Sequence, residues 1–447
     1  MKNGKRSSFS GKLGYVLAAA GASVGLGNIW RFPYLAAKYG GGIFLIIYIV
    51  LALTFGYTMI VAETAIGRMT RKSPVGAFKS FGKKKWLSFG GWINAVIPVP
   101  YYSVIGGWVI KYLVEYFRGN AKLLAEDGYF TDFISNGVST ELCFVAFCAF
   151  TLIIIFAGVQ NGIERVSKIM MPILIVLSVI IAVYSVTRPG ALAGVKYFLV
   201  PNVKNFSWMT VVSAMGQMFY SLSIAMGILI TFGSYMKKDT AIEDSTRNVE
   251  IFDTGIAIMA GLMIIPAVFA FSTLQAGPSL MFITIPKVFQ NMGFGTVIGI
   301  VFFLLVLFAA VTSSIALTES AVSTFEDELG WGRKKATVLV GVIMLALGSL
   351  SSLGYGPLAG IKIIGMQFLD LFDFLTNSVM MPIAALLTSL FVSRVVGIDK
   401  IEAEIIHGES AFRRKKVFVV MIKYLCPVFA IIILLSSVAN ALGWIKM

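Results

Sequence analysis

The sequence predicts an all-α polytopic membrane protein. It is expected to consist of two inverted five-helix repeats, with broken first and sixth helices, plus an eleventh helix. Three observations lead to this prediction. Hydrophobic residues make up 57% of the 447 residues and charged residues only 13%, about half the charged share of a soluble domain. Eleven apolar windows are long enough to cross a bilayer. The first and sixth windows carry helix-weakening residues at their centres.

Loop charge predicts how the eleven windows are oriented. The windows fall at 13–36, 43–67, 88–117, 141–159, 166–186, 210–236, 249–272, 294–324, 336–352, 363–393 and 417–444. The N-terminal segment and every second loop are rich in Lys and Arg, whereas the intervening loops are poor in both. Because basic loops stay in the cytoplasm, we expect a multi-pass protein of the plasma membrane with a cytoplasmic N-terminus and an extracellular C-terminus.

Composition also bears on partners and chemistry. The net charge of +15 comes from loops between apolar windows, so it indicates a lipid bilayer and no nucleic acid. The three cysteines, Cys143, Cys148 and Cys426, lie in or beside apolar runs and predict neither disulfides nor a metal site. The sequence contains no recognisable nucleophile–base pair or nucleotide-binding loop, so we predict no enzyme. We expect one transporter domain over 1–447, and no pattern indicates an oligomeric state.

The first window is interrupted by the run Gly-Ala-Ser-Val-Gly-Leu-Gly-Asn at 21–28, and the sixth by Ser-Leu-Ser at 221–223 with glycines on both sides. Unwound backbone is tolerated in hydrocarbon only where it lines a protein cavity. There it exposes carbonyls and amides that bind an ion or a small solute, which predicts a transport site. Because five helices separate the two breaks, we expect inverted repeats at 13–186 and 210–393, and an additional helix at 417–444.

The stretch Gly-Ala-Ser-Val-Gly-Leu-Gly-Asn-Ile-Trp-Arg-Phe-Pro-Tyr at 21–34 resembles the first-helix signature of the neurotransmitter:sodium symporter family. The similarity covers about residues 6–393 with the helix order kept. Further matching segments are Gly40-Gly41-Gly42, Tyr101-Tyr102, 162–165, 217–235, 312–314 and 325–329. Within this family, the chain resembles the bacterial eleven-helix amino-acid transporters related to the leucine transporter. It implies a sodium-coupled symporter that imports an L-amino acid by alternating access.

The resemblance implies two sodium sites, and Na⁺ is a hard cation that prefers oxygen ligands. The first set comprises the carbonyls of Gly21, Val24 and Ala309 with the hydroxyls of Thr312 and Ser313. The second set comprises the carbonyl of Ser23, the side chains of Asn28 and Ser221, and a group on helix seven. An isolated Thr-Ser pair in a membrane helix more often bonds a neighbouring helix, but this pair stands in a matching family context.

Asp253 stands where many family members carry a sodium-ligating Asn. Chloride-dependent members use a Ser four residues later, where this chain has Ala257. The remaining chloride partners of those members resemble Tyr48, Gln217 and Ser221. A carboxylate at 253 would serve as sodium ligand and as the fixed negative charge, so we expect chloride-independent transport. The alternative is that Asp253 lies near the cytoplasmic end of helix seven with Arg247 and Glu250.

Gly25 stands where transporters of biogenic amines carry an Asp, so the resemblance favours a substrate with its own carboxylate. That carboxylate is expected to meet the Tyr102 hydroxyl and backbone amides near Gly25 and Gly27. The substrate ammonium is expected near Ser23, Tyr220, Ser221 and Ser223. Other expected substrate contacts are Pro98, Ile105, Met226, Ser313 and Leu317. This apolar wall predicts hydrophobic or aromatic side chains, although for each apolar residue simple packing is the alternative.

Charged pairs predict two gates. Arg31 and Asp373 are expected to pair on the outer side, above a lid formed by Tyr102 and Tyr220. Arg6 and Asp327 are expected to pair on the cytoplasmic side beside Tyr235; the alternative is that these are solvated loop charges. Phe9 stands where many relatives have Trp. Two intramembrane acids are functional by default: Glu63, expected to accept bonds from unwound helix six, and Glu319, expected in a polar network behind the pocket.

Two other functions stay open. One is a proton-coupled or sodium-independent amino-acid exchanger of the same architecture. The Thr312-Ser313 pair argues against it, since such carriers commonly place a base there. The other is an amino-acid sensor on a transporter scaffold, which is disfavoured because the sequence contains no extra cytoplasmic domain to relay a signal.

Overall fold

The computed structural model describes residues 6–82, 85–95, 99–271 and 278–444, and these are overwhelmingly helical. The first part of the chain forms α1 (Lys12–Ser23), α2 (Phe32–Lys38), α3 (Gly42–Leu51), α4 (Tyr57–Thr70), α5 (Pro74–Lys79), α6 (Lys85–Ala95), α7 (Val99–Phe117), α8 (Ala121–Leu124), α9 (Tyr129–Ser135), α10 (Gly137–Phe156), α11 (Arg165–Val186) and α12 (Ala191–Leu199). The second part forms α13 (Trp208–Ser221), α14 (Ile228–Tyr235), α15 (Ile242–Phe271), α16 (Ile285–Gln290), α17 (Gly295–Leu329), α18 (Arg333–Leu353), α19 (Phe368–Asp373), α20 (Met381–Phe391), α21 (Ile398–Ile406), α22 (Lys415–Val420) and α23 (Cys426–Ala441).

Short π-helical stretches join several of these helices into longer spans. Eight spans among the described residues are long and apolar enough to cross a membrane: Gly42–Thr70, Gly137–Phe156, Val159–Val186, Ile242–Ala270, Gly295–Leu329, Arg333–Leu353, Phe368–Val396 and Lys415–Ala441. A ninth is the pair Lys12–Ser23 and Gly27–Lys38, which bends by 52° at its break. The chain is therefore an all-α polytopic membrane protein.

The two remaining predicted windows fall on pairs of helices. The window 210–236 holds α13 and α14, which are separated by the non-helical residues 222–227. The window 88–117 holds parts of α6 and α7, and residues 96–98 between them lie outside the described part of the chain. Short helices between the spans, such as α5, α12 and α21, had no counterpart among the predicted windows.

The two breaks have different backbone conformations. Helix α1 ends at Ser23 because Val24 is extended, with ψ of 90°, and a π-helical turn resumes at Gly27. Between α13 and α14, Ser223 and Ala225 adopt φ of 53° and 60°, followed by Gly227 at 69°. The left-handed region costs a residue with a side chain roughly 1–2 kcal/mol. The neighbouring structure must therefore hold this segment in place.

The breaks face each other in the protein interior. The Ser223 hydroxyl donates to the carbonyl of Ala22 at 2.9 Å, so the two unwound segments are directly bonded. Glycines allow helix α14 to lie very close to α4. A Cβ atom added at Gly67 would lie 2.0 Å from the Ile230 carbonyl oxygen, and one added at Gly233 would lie 2.5 Å from the Thr64 carbonyl oxygen. Helix α1 packs against α11, α15 and α17. This packing positions the breaks between α7, α15 and α17.

Candidate functional site

A buried pocket of about 30 Å³ lies between the two helix breaks. Its lining residues come from both breaks and from α7 and α17: Ala22, Ser23, Gly25, Leu26, Gly27, Asn28, Tyr101, Tyr102, Tyr220, Ser221, Ser223, Met226, Ser313 and Leu317. Among the predicted substrate contacts, Ile105 lines a separate outer cavity instead. Pro98 lies outside the described residues. All other predicted substrate contacts line the inner pocket.

Sequence reasoning missed Tyr101, Leu26 and Ala22 as pocket residues. Tyr101 had a signal, because it precedes Tyr102 in a matched segment, but consecutive helix residues normally point in different directions. Tyr101 lines both the inner pocket and the outer cavity. Its hydroxyl accepts a hydrogen bond from Asn377 at 2.8 Å. Tyr101 therefore connects the pocket to the outer end of the span Phe368–Val396.

The pocket leaves no room for a side chain at Gly25. A Cβ atom added there would lie 2.7 Å from the Ser313 hydroxyl oxygen and 2.9 Å from the Tyr102 hydroxyl oxygen. Any side chain at this position would therefore displace one of these hydroxyls. The Tyr102 hydroxyl also accepts a hydrogen bond from the Leu26 amide at 3.3 Å. A glycine here leaves two hydroxyls and an unwound backbone exposed to one small volume.

Thr312 and Ser313 face the first break from α17. The Ser313 hydroxyl lies 3.4 Å from the Gly21 carbonyl oxygen and 3.1 Å from that of Ala22. The Thr312 hydroxyl lies 3.2 Å from the Ala309 carbonyl oxygen, and the Thr312 Cβ lies 3.2 Å from a Cβ built on Gly21. Buried hydroxyl and carbonyl oxygens without a carboxylate are a donor set that suits a monovalent hard cation.

Asp253 lies at the centre of a second buried polar cluster. Its Oδ1 accepts from the Asn28 amide at 2.8 Å and from the Ser221 hydroxyl at 2.9 Å, and its Oδ2 accepts from the Tyr48 hydroxyl at 2.9 Å. The residue is fully buried. The alternative position near Arg247 and Glu250 is therefore wrong. In the structure those two residues pair instead with Asp244 and Arg414.

Gln217 makes no hydrogen bond to the Asp253 carboxylate among the described residues. Its Nε2 donates to the Gly27 carbonyl at 3.0 Å, and its Oε1 is buried with no hydrogen-bond partner among the described residues. Ala257, one helical turn beyond Asp253, is fully buried. Of the predicted anion-site residues, Tyr48 and Ser221 therefore bond the Asp253 carboxylate, and position 257 carries an alanine where chloride-dependent members have a serine.

The predicted outer ion pair between Arg31 and Asp373 is not formed in the described part of the structure. The Arg31 guanidinium lies over the Tyr220 ring, 5.2 Å from its centroid, and Asp373 accepts from Asn377 at 2.6 Å. Arg31 and Asp373 both line an outer cavity of about 260 Å³. The prediction fails because a cation over an aromatic face is an alternative partner for Arg31. The Tyr220 ring separates this cavity from the inner pocket.

The predicted cytoplasmic pair is formed. Arg6 lies 2.5 Å from Asp327 and also donates to the Ser234 hydroxyl, while its guanidinium lies 5.1 Å from the centre of the Tyr235 ring. Phe9 is buried and packs edge-on against Tyr235 and two other rings. The N-terminal segment is therefore fixed against α14 and the end of α17, whereas Arg31 and Asp373 form no ion pair with each other.

The two intramembrane acids lie at different levels. Glu63 accepts a hydrogen bond from the Ala225 amide at 2.8 Å, which holds a residue in the left-handed segment of the second break. Glu319 accepts from the Tyr235 hydroxyl at 2.7 Å and pairs with Arg333 at 2.6 Å. It therefore belongs to the polar cluster around Tyr235 and Arg333 and is not among the residues that line the pocket.

The chain is similar to known transporters over nearly its whole length. A family model described as the sodium:neurotransmitter symporter family matches residues 6–125 and 131–444. The uncharacterized sodium-dependent transporter YhdH of Bacillus subtilis is 34% identical over 98% of this chain and 99% of its own. The sodium- and chloride-dependent GABA transporter 2 of Macaca fascicularis is 26% identical over 88% of this chain and 73% of its own.

A solved structure agrees with these relatives. The crystal structure of MhsT in complex with L-phenylalanine has a TM-score of 0.87 and 34% identity, and the match covers 97% of this chain and 100% of that one. The broken helices, the inner pocket and the buried polar clusters lie within the matched residues. The chain is therefore a sodium-dependent membrane transporter, not an enzyme, and belongs to the sodium:neurotransmitter symporter family.

Proposed function

We propose that the chain imports L-α-amino acids with hydrophobic or aromatic side chains by sodium-coupled symport. The observation that carries this proposal is the space at Gly25, which two hydroxyls and the unwound backbone surround. The substrate carboxylate would accept from Tyr102 and from amides of the first break, and such charge-assisted bonds are the stronger kind. The ammonium group would meet carbonyls and the Ser223 hydroxyl of the second break.

The side-chain preference follows from the remaining wall of the pocket. Met226 and Leu317 contribute apolar surface, and the rings of Tyr101 and Tyr220 close the outer side. A methionine is flexible and polarizable, so it adapts to substrates of different shape. The binding of L-phenylalanine by MhsT, which shares the fold at 34% identity, supports an aromatic or large aliphatic substrate.

Coupling of uptake to two sodium ions would follow because the ion sites and the substrate site share protein groups. Ser313 faces both the first break and the pocket, so a cation there and a substrate carboxylate would stabilise each other. Asn28, Ser221 and Asp253 would hold the second ion, with the Ser23 carbonyl nearby. Bound sodium then raises the affinity for the substrate, and bound substrate raises the affinity for sodium by the same factor. An inward sodium gradient would therefore drive amino-acid uptake.

Chloride independence would follow from Asp253. An ionised carboxylate inside a membrane is costly unless a cation is paired with it, and bound sodium would supply that charge. The hydrogen bonds from Asn28, Ser221 and Tyr48 satisfy the carboxylate oxygens. A second negative ion at this position would be repelled. We propose that the protein needs no external anion.

Alternating access would involve the two five-helix halves, 13–186 and 210–393, with 417–444 outside the repeat. The N-terminus would be cytoplasmic and the C-terminus extracellular in the plasma membrane. The paired Arg6 and Asp327, together with the unpaired Arg31 and Asp373, correspond to an arrangement closed toward the cytoplasm.

The proposal is tested by uptake into proteoliposomes of a panel of labelled L-amino acids together with their decarboxylated amines. Hydrophobic and aromatic amino acids are expected to be taken up, and phenylethylamine is not. Equal uptake of an amine and its parent amino acid would contradict the assignment of the Gly25 site to a carboxylate. An exchanger or a sensor would show, respectively, sodium-independent uptake or binding without uptake.

A further inference from the structure

Arg68 is a fully buried arginine at the cytoplasmic end of α4, although sequence position alone assigns it to a basic loop. Its Nε donates to Glu404 Oε1 at 2.8 Å. Its two terminal nitrogens donate to the carbonyl oxygens of Thr240 and Glu404. One guanidinium therefore joins three parts of the chain: α4, the loop before α15, and α21.

Glu404 belongs to a segment that follows the span Phe368–Val396 directly. Gly397, with φ of 89°, turns the chain sharply at the end of that span. Helix α21 then lies back on the protein with Ile401 and Ile405 fully buried. Lys238 donates to both Glu404 carboxylate oxygens at 2.8 Å. Apolar packing and two cations therefore fix α21.

A second attachment lies further along the same segment. Glu243, in the first turn of α15, accepts hydrogen bonds from the amides of Arg413 and Arg414 at 2.8 and 2.9 Å, and from the Tyr57 hydroxyl at 2.8 Å. The Arg414 side chain pairs with Glu250 at 3.3 Å and lies over the Tyr57 ring. Residues 398–414 are thus bonded at one end to α4 and the loop before α15, and at the other end to α15 and the Tyr57 ring of α4.

We propose that residues 398–414 form a tether that holds the inner end of the span Phe368–Val396 and helices α4 and α15 together as one rigid unit. The span carries Asp373 at its outer end, beside the outer cavity. With its inner end fixed, the span moves at the outer gate by pivoting about this attachment. A buried ion pair suits this role, because separating its members leaves an uncompensated buried charge.

The test measures the distance between spin labels by double electron–electron resonance in the full-length protein. Labels are placed on Arg394→Cys and Ile251→Cys, both exposed positions on the span and on α15. The background carries Ala at Cys143, Cys148 and Cys426. In both sodium chloride and potassium chloride, the tethered protein is expected to show one narrow distance that does not change between the salts.

Three variants weaken the tether. Arg68→Met with Glu404→Leu replaces the buried pair by apolar groups, a change that a fold commonly tolerates. A second variant adds Glu243→Gln, and Glu404→Gln alone serves as the conservative form if the apolar pair fails to fold. Broadening of the distance distribution, or a second distance, is the expected result for each folded variant.

The matched control is Glu402→Gln with Lys415→Met, which removes an ion pair between α21 and the first residue of α22 that does not involve α4 or α15. This control is expected to keep the single narrow distance. Three results would overturn the proposal. The first is a broad or salt-dependent distance in the protein with the unaltered tether, and the second is an unchanged narrow distance in all the tether variants. The third is a broadening in the control equal to that in the tether variants.

Discussion

At the scale of single residues, the hydroxyl of Tyr102 is the group on which the proposed recognition of amino acids depends most directly. It points at the space beside Gly25 and is bonded to the backbone of the first break. The ring itself lines the pocket and would remain in a phenylalanine variant. The hydroxyl can therefore be removed without removing the wall of the pocket.

Tyr102→Phe is expected to weaken substrate affinity by about 1.5–3 kcal/mol, the typical value of a hydrogen bond to a charged group. Equilibrium binding of labelled L-phenylalanine in sodium measures this loss. Tyr116→Phe is the matched control on the same helix, because the Tyr116 hydroxyl is buried with no hydrogen-bond partner among the described residues. Equal effects of the two substitutions would argue against a carboxylate contact at Tyr102.

Gly25→Ala tests whether the space at this position is needed. The added Cβ would lie 2.7 Å from the Ser313 hydroxyl oxygen, and overpacking of this kind typically costs about 1–3 kcal/mol. We expect weaker binding of amino acids, read from the same assay. Gly255→Ala in α15 is the control, since a Cβ there meets nothing within 4 Å. Unchanged affinity in Gly25→Ala would contradict the proposed carboxylate position.

Individual contacts show where prediction from sequence ends. Tyr102 and Ser313, which lie around Gly25, could be predicted only through the resemblance to the family, because both are distant from Gly25 in sequence. The position of Ile105 could not be predicted. The rings of Tyr101 and Tyr220 lie between the inner pocket and the outer cavity, and their packing determines which of the two spaces Ile105 lines. Arg31 has a choice between Asp373 and the Tyr220 ring, and sequence does not encode which partner a given conformation provides.

At the scale of elements, the second break has an unfavourable backbone conformation that neighbouring contacts stabilise. Ala225 has φ of 60°, and its amide is fixed by the Glu63 carboxylate. Ala225→Gly should remove the cost of the left-handed conformation and raise the free energy of unfolding by about 1 kcal/mol. Thermal unfolding in detergent measures the change.

Ala214→Gly provides the opposite case, because Ala214 is buried within the regular helix α13. Glycine in a helix interior destabilises by roughly 0.5–1 kcal/mol. The two substitutions are therefore expected to shift the melting temperature in opposite directions. A loss of stability in Ala225→Gly equal to that in Ala214→Gly would mean that the left-handed conformation carries no strain.

The membrane-spanning helices could be predicted because twenty apolar residues in a row admit few other structures. The short helix α21 could not be predicted in the same way. It has only nine residues, too few to cross a bilayer, and its position depends on Arg68, which is distant in sequence. Basic loop residues are normally solvated, so the composition of the loop gave no indication that Arg68 is buried.

At the scale of the whole molecule, Asp253 is proposed to replace an external anion. Asp253→Asn with Ala257→Ser keeps a sodium ligand, removes the fixed charge and adds the hydroxyl that chloride-dependent relatives use. Uptake by this double variant is expected to fall in gluconate and to recover in chloride, whereas the unaltered protein is indifferent to the anion. Anion dependence of the unaltered protein, or an indifferent double variant, would remove Asp253 from this role.

Sodium coupling is the central claim, and uptake of labelled L-phenylalanine into proteoliposomes tests it most directly. An inward sodium gradient is expected to drive accumulation, while choline with an imposed proton gradient is not. Thr312→Ala with Ser313→Ala should reduce sodium-dependent binding and uptake, because two hydroxyl oxygens of one sodium site are lost. Accumulation that proceeds equally well in choline with a proton gradient would contradict sodium-coupled symport.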